Sequence, residues 1–142
     1  SEVYAKGDCF IDPEIKKAND IDTAVINMTL KNGVLATIQN SRKAVYGYDQ
    51  RIEVLGSKGT LIVGNKLLHG VIKGTKDGFT SANPKNFFID RYKESYQIEI
   101  ADFIRSLSGE AVDHAGVEDG LHALKIGLAA NKSLLQNKPI QL

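Results

Sequence analysis

The sequence predicts an α+β fold: a mostly antiparallel, open-faced sheet with helices packed on one face. Three observations predict it. Much of residues 3–73 alternates apolar and polar side chains with a period near two. Residues 86–136 change to a period of three to four. The turns between the alternating runs are too short for crossovers, so neighbouring strands should pair antiparallel.

The elements follow in order. Val3 to Phe10 supplies a first strand, with imperfect alternation. DPEIKKAND (12–20) is a polar connection with a helical turn after Pro13. From Thr23 to Leu30, Ala24, Ile26, Met28 and Leu30 point one way. Asn32-Gly33 is a hairpin signal, and Val34, Ala36 and Ile38 continue on the return strand. Arg51–Leu55 alternates again, and GSKG (56–59) turns the chain into Leu61-Ile62-Val63. Residues 66–73 read as one more strand and GTKDGFTSANP (74–84) as a loop. Phe88, Tyr92, Tyr96, Ile100, Phe103 and Leu107 form the stripe of a helix over about 86–108. Val117, Leu121, Leu124, Leu128 and Leu135 form a second stripe over about 116–136. Glu118 and Asp119 suit its N-terminal dipole and Lys132 its C-terminal end. Pro139 to Leu142 adds a short edge strand. Leu35, Thr37, Tyr48 and Ile62 suggest that the second sheet face is partly apolar, a candidate partner surface.

The 142 residues form a single domain, 1–142, large enough for a core without disulfides or a structural metal. Apolar residues are 42% and charged residues 25%, ordinary for a globular protein. Lys and Arg total 18 against 17 acidic residues, so no net field attracts nucleic acid or an anionic membrane. No apolar run approaches the roughly 20 residues of a membrane span, and no signal-peptide pattern opens the chain. Cys9, the single cysteine, cannot form an internal disulfide, which favours the reducing cytoplasm. The chain starts at Ser1 and enters a strand almost at once, and it reads as part of a longer polypeptide.

Catalytic chemistry is sparse. His69, His114 and His122 have no cysteine or acidic pair at metal-ligand spacing, so no metal is expected. Cys9 reads as a half-buried packing residue. GSKGT (56–60) lies between strands, unlike a phosphate loop, and no GxGxxG occurs. The tyrosines stand out. SRKAVYGYDQR (41–51) gathers Tyr46, Tyr48, Asp49 and three cationic residues around Gly47. Tyr92 and Tyr96 share a helix face. Packing suffices for Tyr92; for Tyr46, Tyr48 and Tyr96, packing and ligand binding are equally open. Phenols beside guanidinium and carboxylate groups suit a polyhydroxylated ligand.

Residues 20–61, with YGYDQR (46–51), resemble the C-terminal domain of myo-inositol 2-dehydrogenases of the Gfo/Idh/MocA oxidoreductase family. FFIDRYKESYQIE (87–99) and the segment 116–142 are similar to later parts of that domain. The resemblance covers nearly the whole chain. It implies a two-domain dehydrogenase whose N-terminal Rossmann domain, absent from this chain, binds NAD or NADP. It implies hydride transfer from a cyclitol, assisted by a lysine and an Asp/His pair. Those motifs do not occur here, so no catalytic or cofactor-binding residue is expected and the chain alone should be inactive. It further implies a homo-oligomer formed through the open sheet face. Substrate binding falls to Tyr46, Tyr48 and Tyr96, while Arg91 and Asp49 hold loop and helix together. A sibling acting on scyllo-inositol or another sugar, and a non-enzymatic dimerisation module, are the alternatives.

Overall fold

The structure, a computed structural model, describes residues 1–142. Its elements run β1 (Glu2–Asp8), α1 (Pro13–Lys17), β2 (Thr23–Thr29), β3 (Leu35–Ser41), β4 (Ile52–Gly56) and β5 (Gly59–Val63). There follow β6 (Ile72–Thr75), β7 (Gly78–Ser81), α2 (Phe88–Leu107), α3 (Val117–Gln136) and β8 (Ile140–Gln141). Two compact units contain them, one of residues 1–43 and 115–142, the other of residues 44–114.

In the first unit the strands form an antiparallel sheet of order β3-β2-β1-β8. Its register places Val3 opposite Met28 and Ala5 opposite Ile26, with Ile38 and Ala36 across from the same pair on β3. One face therefore gathers the apolar alternation. Helix α3 covers it with Ala129 and Ala130, and Ile126 and Ile140 pack at the margin. Small side chains let the helix backbone approach the strands closely.

Ser133, fully buried in this seam, laces the helix to its neighbours. Its hydroxyl accepts from the Ala5 N–H at 3.0 Å and donates to the Lys138 carbonyl at 2.7 Å. The leucine stripe read from the sequence is a different face of α3: Val117, Leu121, Leu124, Leu128 and Leu135 are exposed. The helix boundaries agree with the periodicity, but the alanine face meets the sheet. Asn137 ends the helix in the left-handed conformation at φ 51°.

Asp22 organises the connection after β1. Its carboxylate is buried and accepts from the N–H groups of Phe10, Ile11 and Asp12 and from Thr23 Oγ1 and Cys9 Sγ. Burial alone would raise its pKa, but these donors together hold it well below the usual carboxylate range. The Cys9 thiol is pushed up by burial and by Asp22. The opposite sheet face is uncovered within this unit, with Leu35 exposed and Thr37 Oγ1 donating to Asn27 Oδ1 at 2.8 Å.

In the second unit β4 and β5 form an antiparallel hairpin pairing Val54 with Leu61. The reading of 66–73 as a strand and 74–84 as a loop is corrected here. Ile72–Thr75 and Gly78–Ser81 pair as a hairpin around a two-residue turn, Lys76-Asp77. Gly78 at φ 128° supplies the backbone conformation that the turn needs, and the Asp77 N–H donates to Thr75 Oγ1. Residues 66–68 make only an isolated bridge, Leu67 to Pro84, flanked by the bonds Leu68 N–H to Asn83 and Lys85 N–H to Lys66. Ile62 belongs to the β4–β5 hairpin and Tyr48 to the preceding loop, so neither shares the four-stranded sheet with Leu35 and Thr37.

Candidate functional site

The loop before β4 takes its shape from backbone constraints. Gly47 has φ 138°, a conformation that side chains other than glycine's rarely adopt, and a Cβ there would lie 2.8 Å from the Pro84 carbonyl oxygen. The Tyr48 N–H donates to the Lys85 carbonyl at 2.9 Å. Loop and strap 83–85 are thus fitted backbone to backbone, and the tyrosines on either side of Gly47 depart in fixed directions.

Asp49 is the polar centre. It accepts from the Tyr46 hydroxyl, from Arg51 Nε at 2.8 Å and Nη2 at 3.0 Å, and from Asn65 Nδ2 at 2.6 Å. Asn65 in turn accepts from the Gln50 N–H at 2.9 Å. The Tyr46 hydroxyl first, then Arg51 and Asn65, lower the Asp49 pKa to about 2. The same bond to Asp49 raises the Tyr46 phenol. Asp49 is therefore a saturated acceptor and no general base at neutral pH.

Arg91, near the start of α2, is buried at 7% exposure. Its Nη2 donates to the Gln50 carbonyl at 2.8 Å and the Gly64 carbonyl at 3.3 Å, while Nε and Nη1 find no partner. Gln50 and Gly64 bracket the β4–β5 hairpin, so one guanidinium clamps the hairpin base to the helix. Lys66 adds an exposed ion pair to Glu94 at 2.6 Å.

The aromatic residues form a row. Tyr48 meets Tyr92 edge-on at 5.8 Å between ring centroids and Phe88 at 6.5 Å. Tyr92 meets Tyr96 edge-on at 6.5 Å. Tyr92 is the middle of this row and its hydroxyl is buried without a partner. Burial, then the Tyr92 phenol alongside, raises the Tyr48 pKa. Tyr46 and Tyr96 remain about half exposed, at 45% and 47%. Tyr48 and Tyr96 are thus joined through Tyr92, while Tyr46 is tied separately to Asp49 in the same unit. Phenols on an aromatic row can hydrogen-bond a polyol and stack against its apolar face.

Sequence reasoning missed Asn65 and the carbonyl targets of Arg91. Asn65 sits outside any periodic pattern, and its one available signal is its place beside Gly64 just after β5. The histidines are not gathered with Cys, Asp or Glu into a metal-binding group.

Residues 3–142 match the model of the oxidoreductase family C-terminal alpha/beta domain. Myo-inositol 2-dehydrogenase of Thermotoga maritima is 45% identical over 142 residues, covering 99% of this chain and 42% of that protein. The crystal structure of a myo-inositol dehydrogenase from Corynebacterium glutamicum superposes with a TM-score of 0.92 at 33% identity, covering 99% of this chain and 43% of that one. That of scyllo-inositol dehydrogenase from Lactobacillus casei, with bound NAD(H) and scyllo-inositol, gives 0.87 at 25% identity, over 99% and 41%. The chain spans about two fifths of the length of these relatives.

Proposed function

The chain belongs to the Gfo/Idh/MocA oxidoreductases as their C-terminal alpha/beta domain, and from that premise we propose that it forms the substrate side of an NAD-dependent inositol 2-dehydrogenase. The reaction is oxidation of myo-inositol to the 2-keto-inositol. The observation that carries this reading is the likeness to a myo-inositol 2-dehydrogenase over 99% of the chain, through the segment that builds the tyrosine wall.

The residues present do not fit a dinucleotide. Gly56 and Gly59 close a hairpin between strands, with no helix N-terminus to receive a pyrophosphate. NAD is assigned to the Rossmann domain that the family implies, and the base that removes the hydroxyl proton goes with it. This chain contributes binding and orientation. Tyr46, Tyr48 and Tyr96 present phenols to the cyclitol hydroxyls, and the aromatic row excludes water from one side of the ring. Orientation of this kind is worth most when the wall is rigid, which the Asp49 and Arg91 anchors provide.

Self-association through the uncovered face of the four-stranded sheet belongs to the same reading. Its support is the exposed Leu35 beside the Asn27–Thr37 pair on a face that no element of its unit covers. No helix is long and apolar enough to cross a membrane. The unpaired Cys9 supports a cytoplasmic enzyme.

The test is a panel of myo-inositol, scyllo-inositol and aldoses, offered with NAD to the full-length protein and scored by kcat/KM. A clear preference for myo-inositol is expected. Preference for scyllo-inositol, the ligand of the Lactobacillus casei relative, would move the assignment to a sibling activity. No turnover of any polyol would leave a non-enzymatic assembly module.

A further inference from the structure

Tyr46 differs from the other wall tyrosines because the direction of its hydrogen bond is fixed. Its hydroxyl donates to Asp49, an ionised carboxylate that can only accept. Asp49 cannot turn away, because Arg51 grips it through two nitrogens and Asn65 holds it from the segment that follows β5. The Tyr46 proton is therefore committed, while the phenol oxygen keeps its acceptor capacity on a half-exposed side chain.

We infer that Asp49 is a positioning residue that makes Tyr46 a one-way hydrogen-bond acceptor for a substrate hydroxyl. The inference rests on the proposed cyclitol site and adds a polarity to it. A ligand group facing Tyr46 must be a donor, so a hydroxyl fits there and a keto, ether or fluoro group does not. The oxidised carbon of the ketone product then belongs elsewhere on the ring. A freely rotating phenol would accept both kinds of group.

The experiment is a double-mutant cycle in the full-length protein, using Tyr46→Phe, Asp49→Asn and the pair, with myo-inositol and its monofluoro-deoxy analogues. Tyr46→Phe is expected to raise KM for myo-inositol roughly two- to tenfold, the span of one hydrogen bond, with kcat little changed. Asp49→Asn should raise KM similarly, and its effect should vanish in the Tyr46→Phe background. One fluoro isomer should bind wild type no better than Tyr46→Phe, since it lacks the donated proton. An Asp49→Asn effect that persists in full without the Tyr46 hydroxyl would overturn the inference and leave the cyclitol reading standing. Wild-type protein that turns over no cyclitol would sink both.

If Asp49→Asn does not fold, ultraviolet titration of wild type against Tyr46→Phe isolates the Tyr46 phenol. Ionisation above the ordinary tyrosine range supports the locked proton, and ordinary ionisation refutes it.

Discussion

Replacing Arg91 with methionine tests the clamp between hairpin and helix. The substitution keeps most of the buried stem and removes the guanidinium. Two charge-assisted bonds are lost, to Gln50 at 2.8 Å and to Gly64 at 3.3 Å. Bonds to a charged donor contribute about 1.5–3 kcal/mol each, and the longer one belongs at the bottom of that range. Against this, the substitution removes a buried cation with two unpartnered nitrogens, a relief of about 1–3 kcal/mol. The losses win, because the two carbonyls are left without their donor as well. Arg91→Met should therefore destabilise by about 1–3 kcal/mol. Urea unfolding followed by tyrosine fluorescence measures it, since Tyr48 and Tyr92 lie beside the clamp. Hydrogen exchange should show the β4–β5 amides opening more often. An unchanged or increased stability would refute the clamp, because it would mean that the half-paired cation costs more than its two bonds return.

Four further outcomes follow from the same geometry. Gly47→Ala should cost about 1–3 kcal/mol in a thermal melt, from the positive φ and the approach to Pro84. Ser133→Ala orphans the Ala5 N–H and the Lys138 carbonyl, and should cost about 1–3 kcal/mol in urea unfolding. Asp49 has its pKa lowered from 3.8 to about 2, so its contribution to stability is full above 3.8 and is lost as pH falls through 2. Unfolding curves of wild type and Asp49→Asn should therefore differ by a constant above about pH 5 and converge below about pH 2. Tyr96→Phe in the full-length protein should raise KM or lower kcat at a cost of about 0.5–1.5 kcal/mol with little loss of stability, and unchanged kinetics would return Tyr96 to packing.

Periodicity located most of the fold. The alternation in 23–30 and 34–38, the Asn32-Gly33 turn, both long helices and the edge strand at the C-terminus are where their patterns put them. It failed where structure does not depend on periodic burial. The β6–β7 hairpin is exposed along its length, and its turn residues alone resemble a loop. Phe79 lies across from Gly74, so the aromatic covers a glycine and leaves no alternating pair to read. On α3 the larger apolar stripe attracted the reading, although the face against the strands is made of Ala129, Ala130 and Ser133. Hydrophobicity marks what is apolar, and close approach selects what is small.

The site divides along the same line. Tyr46, Tyr48 and Tyr96 stood out by residue type and spacing, and the family resemblance set Asp49 and Arg91 between loop and helix. Arg91 does reach from α2 to Gln50, whereas Asp49 is bound within its loop and to Asn65. Their partners were not. Asn65 and the Gln50 and Gly64 carbonyls enter through the irregular segments that flank the β4–β5 hairpin, which bring distant residues together. The buried Asp22 was equally silent, because a carboxylate that accepts from backbone N–H groups leaves no sequence pattern.

The most direct test of the tyrosine wall is a crystal structure of the full-length protein with NAD and myo-inositol. A substrate-binding wall places the cyclitol ring within hydrogen-bonding distance of the Tyr46, Tyr48 or Tyr96 hydroxyl, with a ring hydroxyl donating to Tyr46. A ring bound out of reach of all three would contradict it, and would reduce residues 41–51 to a structural loop.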